Sequence, residues 1–232
     1  MNANKILEQF YMKVLCIHFK GGVGKSTTAV HVAGVLQGDG NTLLVDGDRQ
    51  VTSYCFFNRG TTPKTDEVVK VSETLSIIPL NSLQPTSKHG LSERISKIVK
   101  MKKDFTHFVF DTTPDPLTAS QIISEVEPDL IIIPIKYGDH GGLVQLTPVL
   151  QTIEGMAAFG IAPLVKIVPI GVDSQWIFDN LGGSKLNCEI LASIPANPEL
   201  FGNAVFQDFD FVWNYDGYDY FYDMYRKIVL GS

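Results

Sequence analysis

Residues 20–27, KGGVGKST, constrain the fold of this chain more than any other stretch. They follow an apolar run predicted to be a strand, residues 13–19, and they lead into a helix-patterned segment, residues 26–38. A glycine-rich loop between a strand and a helix turns backbone N–H groups toward phosphate oxygens, and the positive end of the helix dipole adds to the attraction. The sequence therefore predicts a phosphate-binding loop at the first strand–helix turn of the fold.

Apolar runs of strand length alternate along the chain with segments of helical periodicity. The predicted strands are 13–19, 42–46, 75–79, 106–111, 129–134, 163–169 and 190–194, and the predicted helices are 26–38, 91–102, 117–127, 141–157, 174–181 and 217–229. The strands are almost continuously apolar, which is typical of strands buried on both faces. We expect an α/β fold, with a mostly parallel twisted sheet and helices on both faces. We see no linker or repeat and expect one domain over 1–232, with 1–12 as an arm or a short helix.

Composition and charge restrict the class of protein. The longest strongly apolar run, 130–135, is shorter than the ~20 residues of a membrane helix. Glu8 and Gln9 stand where a signal peptide needs an apolar core, so we expect a cytoplasmic protein. The three cysteines share no short spacing, which argues against a disulfide framework, a metal site or an iron–sulfur reductase. With a net charge of −6, contact with nucleic acid would need a local basic patch.

Each residue type in the loop suits one part of a bound triphosphate. Lys25 would reach the outer phosphates, the Ser26 hydroxyl would bind Mg2+, and Thr27 would contact an inner phosphate. The residues expected to hold the nucleotide here are Gly21, Gly22, Val23, Gly24, Lys25, Ser26 and Thr27.

Acidic residues end two other predicted strands. Asp46 and Asp48 follow the strand 42–46 in the segment TLLVDGD, and Asp111 ends the strand 106–111 in HFVFDTTP. Aspartates at strand ends often only cap helices or form turns. Beside a phosphate loop, however, the carboxyl ends of parallel strands line one crevice, which favours a magnesium site.

The segments KGGVGKST, LLVDGDRQ, FVFDTTP, PDLIIIPI and IPANPELFGNAV resemble, in order and spacing, the ParA/MinD group of deviant Walker ATPases. The resemblance runs from about residue 13 to the C-terminus and implies ATP hydrolysis with Mg2+ in a homodimer that encloses two ATP molecules. It implies that Lys20 is the signature lysine that crosses to the partner's nucleotide. It also implies that Asp48 orients the attacking water and that Ser26, Asp46 and Asp111 form the metal side. Lys20, Lys25 and Asp48 are thus the expected catalytic residues.

The chain departs from the family pattern at two places. Arg49 stands where the family usually has proline after the second aspartate, and the segment IVPIGVD lacks the asparagine that often reads adenine. The later loop IPANPE is kept, so Ala196, Asn197 and Pro198 are expected to border the base. No Asn-Lys-X-Asp guanine signature is present, which favours ATP over GTP.

The cargo of such an ATPase is open at this stage. A DNA-partitioning ATPase would bind nonspecific DNA, associate with the nucleoid and be released by a partner protein. Its DNA contacts would be lysines and arginines, and Arg94, Lys97 and Lys100 are expected to project away from the apolar stripe of their helix, on a face that either contacts DNA or is simply solvated. Further basic candidates are Lys88, Lys102, Lys103, Lys185, Arg226 and Lys227.

Three alternatives compete with DNA partition. One is a role in conjugation. A MinD-like ATPase that cycles on a membrane would need a basic amphipathic C-terminal helix, and Asp219 and Asp223 oppose this. A bacterial tyrosine kinase carries a terminal tyrosine cluster, and this chain has Tyr215, Tyr218, Tyr220, Tyr222 and Tyr225. That kinase group lacks the leading lysine, however, so we expect the segment FDFVWNYDGYDYFYDMY to be a strand or loop followed by a packed helix.

Overall fold

A computed structural model of the chain describes residues 11–80, 88–136, 140–181 and 188–231. Its strands are β1 (Met12–Cys16), β2 (Thr42–Asp46), β3 (Val69–Lys70), β4 (Leu75–Pro79), β5 (His107–Asp111), β6 (Leu130–Lys136), β7 (Leu164–Ile170) and β8 (Glu189–Ile190). They form an eight-stranded sheet in the order β3-β4-β2-β5-β1-β6-β7-β8. The pairing of β3 with β4 is antiparallel and the other pairings among these strands are parallel.

Helices connect the strands and cover both faces of the sheet. They are α1 (Lys25–Leu36), α2 (Thr52–Phe57), α3 (Lys88–Val99), α4 (Pro116–Val126), α5 (His140–Met156), α6 (Ser174–Asn180), α7 (Pro198–Asn203) and α8 (Tyr220–Leu230). A π-helical turn (Ala204–Asp208) continues α7, and short 3-10 turns lie at Ala157–Phe159 and Val212–Asn214.

Side chains that alternate along each strand divide the interior into two cores. Val14 and Cys16 of β1 face a core shared with α1, α2, α7 and α8. Leu15 and Ile17 face a second core shared with α3, α4, α5 and α6. Because successive residues of a strand point to opposite faces and both faces are covered, the strands must be apolar throughout. The predicted α/β architecture is confirmed.

Most predicted elements agree with the structure to within three residues. Strands 42–46 and 75–79 agree at both ends, whereas the predicted strand 190–194 is reduced to Glu189–Ile190 with an isolated bridge at Ile194. Three further elements, α2, β3 and α7, were not predicted from the sequence. Residues Thr52–Phe57, TSYCFF, are aromatic and short, so local propensity does not favour a helix there. A tertiary contact supports it, since the N–H of Tyr54 in α2 donates to an Asp46 carboxylate oxygen at 2.7 Å.

The C-terminal segment was predicted to be a strand or loop followed by a packed helix. Of the two alternatives the loop is observed, since residues 209–219 form a loop with one 3-10 turn, and the packed helix is confirmed as α8. β1 begins at Met12, the last residue of the arm expected at 1–12. Residues 1–10 lie outside the described residues, so the arm and the single-domain boundary stay predictions.

Candidate active site

Two glycines shape the loop between β1 and α1. Gly22 has φ 78° and Gly24 φ 101°, in the left-handed region that glycine adopts without strain. Gly24 is the cap residue of α1, and no described side chain caps the first turn. A Cβ at Gly24 would lie 2.9 Å from Ile170 Cδ1 of β7, so the loop packs closely against a strand end. The loop thus combines uncapped N–H groups with the positive end of α1, as an anion site requires.

Lys25 lies at the base of this loop and is only 5% exposed. Its Nζ donates a hydrogen bond to the Lys20 carbonyl oxygen at 3.0 Å. Burial lowers the pKa of Lys25, whereas the carboxylates of Asp111 and Asp48 raise it. The Lys25 ammonium is therefore held between the loop backbone and the acidic strand ends.

Asp46 and Asp111 end two neighbouring parallel strands and face each other in register. Both are fully buried. The N–H groups of Tyr54 and Asp48 donate to the Asp46 carboxylate at 2.7 and 3.1 Å. Burial raises the pKa of Asp46, the adjacent Asp111 raises it further, and the two N–H donors lower it. Asp46 thus joins β2 to the start of α2.

Asp111 has one satisfied carboxylate oxygen and one unused oxygen. Ser53 Oγ of α2 donates to Asp111 Oδ2 at 2.7 Å, whereas the buried Oδ1 accepts no hydrogen bond from the described residues. Burial raises the pKa of Asp111 to about 6, although the Ser26 and Ser53 hydroxyls and Lys25 lower it. An unused buried carboxylate oxygen costs free energy unless a ligand or cation takes it up. The raised pKa and the unused oxygen both indicate a cation site.

The donor set fits Mg2+ that enters together with a nucleotide. Mg2+ in nucleotide sites takes one or two carboxylates and completes its shell with phosphate oxygens and water. Across the described ranges, no group of three or more His, Cys, Asp or Glu side chains could hold a metal ion. Asp111 and Ser26 lie close together at the phosphate loop. They suit a coordination shell in which the protein supplies only a few of the ligands.

Asp48 lies on the turn after β2 and is only partly buried. Its Oδ1 accepts a hydrogen bond from the Gln50 N–H at 3.2 Å. Arg49, which replaces the usual proline, is exposed on this turn. The turn is closed by hydrogen bonds from Asp48 and Gln50, so the proline is not needed for its shape.

Lys20 precedes the loop and is partly exposed. Its backbone N–H donates to His18 Nδ1 at 3.1 Å. A Cβ at Gly141 would lie 2.9 Å from Lys20 Cε and 3.4 Å from Nζ, so the lysine side chain runs closely along the first turn of α5. Lys20 and Lys25 thus occupy different positions: Lys25 is buried under the loop, and Lys20 lies along a neighbouring helix.

A cleft extends from the phosphate loop toward the residues expected at the base. It is lined by Gly24, Thr27, Lys136, Ile170, Ala196, Asn197, Pro198, Phe201 and Tyr225. Asn197 also has structural contacts, because its Oδ1 accepts from the Leu200 N–H at 3.0 Å and its Nδ2 donates to the Tyr218 hydroxyl at 3.3 Å. The structure therefore brings Ala196, Asn197 and Pro198 together with the phosphate loop in one cleft.

Sequence reasoning missed three kinds of residue at this site. Ser53 holds Asp111, Lys136 ends β6 at the cleft, and Tyr225 lies against the cleft from α8. For Lys136 a signal existed, because it directly follows the apolar run of a predicted strand, at the sheet edge where ligands bind. For Ser53 and Tyr225 no local signal existed, since tertiary packing brings them to the site.

The basic residues considered for DNA differ in their surroundings. Arg94 lies off the apolar stripe of α3, as expected, but its guanidinium is engaged within the fold: it pairs with Asp66 and donates to the Leu80 carbonyl oxygen at 2.7 Å. Lys97 and Lys100 are exposed as expected. Lys102, Lys103, Arg226 and Lys227 are also exposed, whereas Lys185 and the side chain of Lys88 lie outside the described residues.

The C-terminal tyrosines are part of the packed structure. Tyr225 is buried and stacks on His31 of α1, with ring centroids 4.8 Å apart. The Tyr215 hydroxyl donates to Asp208, and Tyr218 contacts Asn197. None of the helices in the described ranges combines the length and the apolar character needed to cross a bilayer.

Known proteins share this fold. A Cyanothece McdA–ATP complex superposes with a TM-score of 0.70 at 16% identity, covering 95% of this chain and 97% of that one. A putative plasmid partition protein from Borrelia burgdorferi B31 bound to AMPPNP gives 0.66 at 17% identity, with 95% and 98% covered. The MinD cell division protein of Aquifex aeolicus gives 0.68 at 17% identity, with 95% and 98% covered.

No curated protein matches the chain in sequence. Residues 14–175 match the family described as the CobQ/CobB/MinD/ParA nucleotide binding domain. This range includes the phosphate loop, both buried aspartates and the end of β6. The expected resemblance is confirmed: the chain belongs to the CobQ/CobB/MinD/ParA family of nucleotide-binding domains.

Proposed function

We propose that the chain is an ATPase that hydrolyses ATP slowly with Mg2+, dimerises around two ATP molecules and acts with a partner protein to segregate or position DNA or another large cargo. The observation that carries the ATPase assignment is the unused Asp111 Oδ1 beside Ser26 and Lys25, next to a loop built for phosphates. Ser26 and Asp111 would hold Mg2+ there, and the bound cation would supply positive charge that offsets the charge of the phosphates.

The chain's own residues divide the remaining tasks. Lys25 and the loop N–H groups bind the outer phosphates, and Thr27 binds an inner one. The metal ion is held by Ser26 and Asp111, with Asp46 farther away. Asp48 lies at the partly open end of the site, where it is suited to orient the attacking water. We expect Lys25→Ala to abolish nucleotide binding, measured by calorimetric titration with ATP, and unimpaired binding would contradict the assignment.

The dimer part of the proposal is supported by the surface around Lys20. Leu117 on α4 and Val144 on α5 are 70% and 69% exposed, near the N-termini of helices that follow the carboxyl ends of β5 and β6. Val144 is three residues after Gly141, so it shares the helix face that Lys20 contacts. An exposed apolar residue beside a lysine, as Val144 is, suits a surface that closes on a second copy with bound ATP.

Dimerisation can be tested with a variant that binds ATP but cannot hydrolyse it. We expect Asp48→Ala to elute as a dimer with ATP and Mg2+ in size exclusion with light scattering, and as a monomer with ADP. Asp48→Ala combined with Lys20→Ala serves as the matched variant and should bind ATP yet stay monomeric. A monomer under all conditions would contradict the dimer, and unchanged hydrolysis in Lys20→Ala alone would remove Lys20 from the mechanism.

DNA is the cargo that the exposed lysines favour. Lys97, Lys100, Lys102 and Lys103 lie at the end of α3 and in the following turn, with no ion pair to a described residue. Lysines near phosphates release counterions, so binding should weaken steeply with salt. We expect ATP-dependent binding to nonspecific duplex DNA at low salt, measured by fluorescence anisotropy across a salt titration. If no ATP-dependent DNA binding is detected at low salt, the cargo would be a protein or another large assembly instead of DNA.

The membrane and kinase alternatives have less support. The apolar stripe of α8, Phe221, Tyr225, Ile228 and Val229, is buried in the core, so it is not available to a lipid surface. Tyr225 is buried and Tyr215, Tyr218 and Tyr222 are partly buried, which leaves Tyr220 as the exposed member of the cluster, whereas a tail that phosphorylates itself must be mobile. Phosphotyrosine formed on incubation with ATP and Mg2+, measured by mass spectrometry, would favour the kinase. A role in conjugation shares the proposed chemistry and differs only in cargo.

A further inference from the structure

Lys136 is an exposed lysine at the mouth of the cleft, and neither the phosphate loop nor the acidic strand ends account for it. It is the last residue of β6 and pairs in register with Ile170, the last residue of β7. Both residues line the cleft that also contains Gly24, Thr27 and Ala196. Lys136 therefore lies between the two parts of the cleft, the loop end and the Ala196–Pro198 end.

Strand order decides which part of a nucleotide would meet Lys136. The phosphate loop follows β1, and the Ala196–Pro198 segment follows β8, with β6 and β7 between them in the sheet. A ligand with phosphates at the N-terminus of α1 and a base near Ala196 must cross the carboxyl ends of β6 and β7. The ribose and the α-phosphate lie between these two parts of any nucleotide, so they would pass Lys136.

The charges around Lys136 leave it suited to an anion. Among the described residues that line the cleft there is no carboxylate, and their side chains are mainly apolar, such as those of Ile170 and Phe201. The ion pairs found among the described residues, Arg94 with Asp66 and Lys166 with Glu189, do not involve Lys136. A lysine at the edge of an apolar cleft attracts an anionic ligand more strongly than one surrounded by water.

We propose that Lys136 is a nucleotide-binding residue that pairs with the α-phosphate. The proposal rests on the proposed nucleotide-binding function, and it gives Lys136 a role different from those of the two loop lysines. Lys25 acts on the outer phosphates and Lys20 acts across the dimer, so both affect ATP chemistry. Lys136 contributes equally to ATP and ADP, and it therefore strengthens retention of the product as much as binding of the substrate.

The test compares Lys136→Gln with the parent for ATP, ADP and adenosine, with affinities measured by competition against a fluorescent ADP analogue. We expect ATP and ADP to bind about 5- to 30-fold more weakly, by the same factor, and adenosine to bind unchanged. Lys136→Arg should recover most of the loss. Lys70→Gln is the matched control, since it removes an exposed lysine on β3, at the far edge of the sheet, and it should bind all three ligands like the parent.

Two outcomes would overturn the role of Lys136. One is an ADP affinity of Lys136→Gln within twofold of the parent, and the other is an equal loss for adenosine, which would indicate a disturbed cleft instead of a lost charge contact. The proposed function fails separately, when the parent itself binds neither ATP nor ADP. This inference alone would be rejected if the parent binds ADP, the Lys25→Ala variant does not, and the Lys136→Gln variant binds ADP like the parent.

Discussion

His31 joins the phosphate-loop helix to the C-terminal segment and should make stability depend on pH. Its Nε2 accepts a hydrogen bond from the Val212 N–H at 3.2 Å, so the ring proton must be on Nδ1, which lies 2.7 Å from the Thr27 carbonyl oxygen. The ring is fully buried among Phe201, Phe211 and Tyr225. A second proton on His31 would require the loss of the Val212 hydrogen bond and a buried charge.

The magnitude follows from the difference between the folded and unfolded pKa. Burial lowers the pKa of His31 from 6.5 to about 4, although the hydrogen bond to Thr27 raises it slightly. Between pH 6.5 and pH 4, His31 is protonated in the unfolded chain but stays neutral in the folded chain. The contribution of His31 to the free energy of unfolding is therefore fully present above pH 6.5 and is lost as the pH falls. His31 should remove about 2 kcal/mol of folding free energy by pH 5, approaching 3 kcal/mol at pH 4.

Urea unfolding at pH 7.5 and pH 5, followed by tryptophan fluorescence, measures this loss. His31→Gln cannot titrate, so the parent should lose about 2 kcal/mol more than the variant between these pH values. Other titrating groups, including the buried aspartates, contribute to both proteins and cancel in the difference. An equal pH dependence in parent and variant would refute the assignment of a neutral, doubly hydrogen-bonded His31.

The remaining predictions concern packing, the acidic pair and α3. Gly34→Ala should destabilise the fold by about 1–3 kcal/mol in urea unfolding, because its Cβ would lie 2.4 Å from Phe211 Cε1; wild-type stability would contradict that close approach. Asp111→Asn should abolish Mg2+-dependent hydrolysis and yet raise stability at pH 8, because burial raises the pKa of Asp111 to about 6 and disfavours its charged form in the folded state. That gain should shrink as the pH falls below 6, and a variant that still hydrolyses ATP would remove the carboxylate from the metal site. Arg94→Ala should cost about 1 kcal/mol through loss of the Asp66 pair and leave DNA affinity unchanged; weaker DNA binding would restore Arg94 as a contact.

The elements that were predicted well are those specified by residues adjacent in the sequence. The apolar runs of β2 and β4 gave both strand boundaries, because a strand buried on two faces must be apolar over its whole length. The loop KGGVGKST could be interpreted from residue types alone, since phosphate binding there uses backbone N–H groups and a few adjacent side chains. Prediction failed at α2, because a distant carboxylate supports this short helix.

The same division holds at the site. The sequence indicated that Asp46 and Asp111 follow or end predicted parallel strands, but it could not indicate that Ser53 would satisfy only one Asp111 oxygen. The helical pattern predicted that Arg94 would project away from the apolar stripe, but it could not indicate that a loop carrying Asp66 reaches this side chain. The tyrosine cluster allowed a kinase tail as one interpretation. That Tyr225 stacks on His31 became visible only in the fold.

The sequence by itself determined the α/β class, the phosphate loop and the acidic strand ends, because each depends on a pattern within a few consecutive residues. Only the tertiary structure decided the strand order, and with it the position of Lys136 between the loop and the Ala196–Pro198 segment. It also decided which charges are satisfied, leaving Asp111 Oδ1 unused and Arg94 paired. The physical reason is that burial and pairing are set by residues far apart in the chain, which no local pattern specifies.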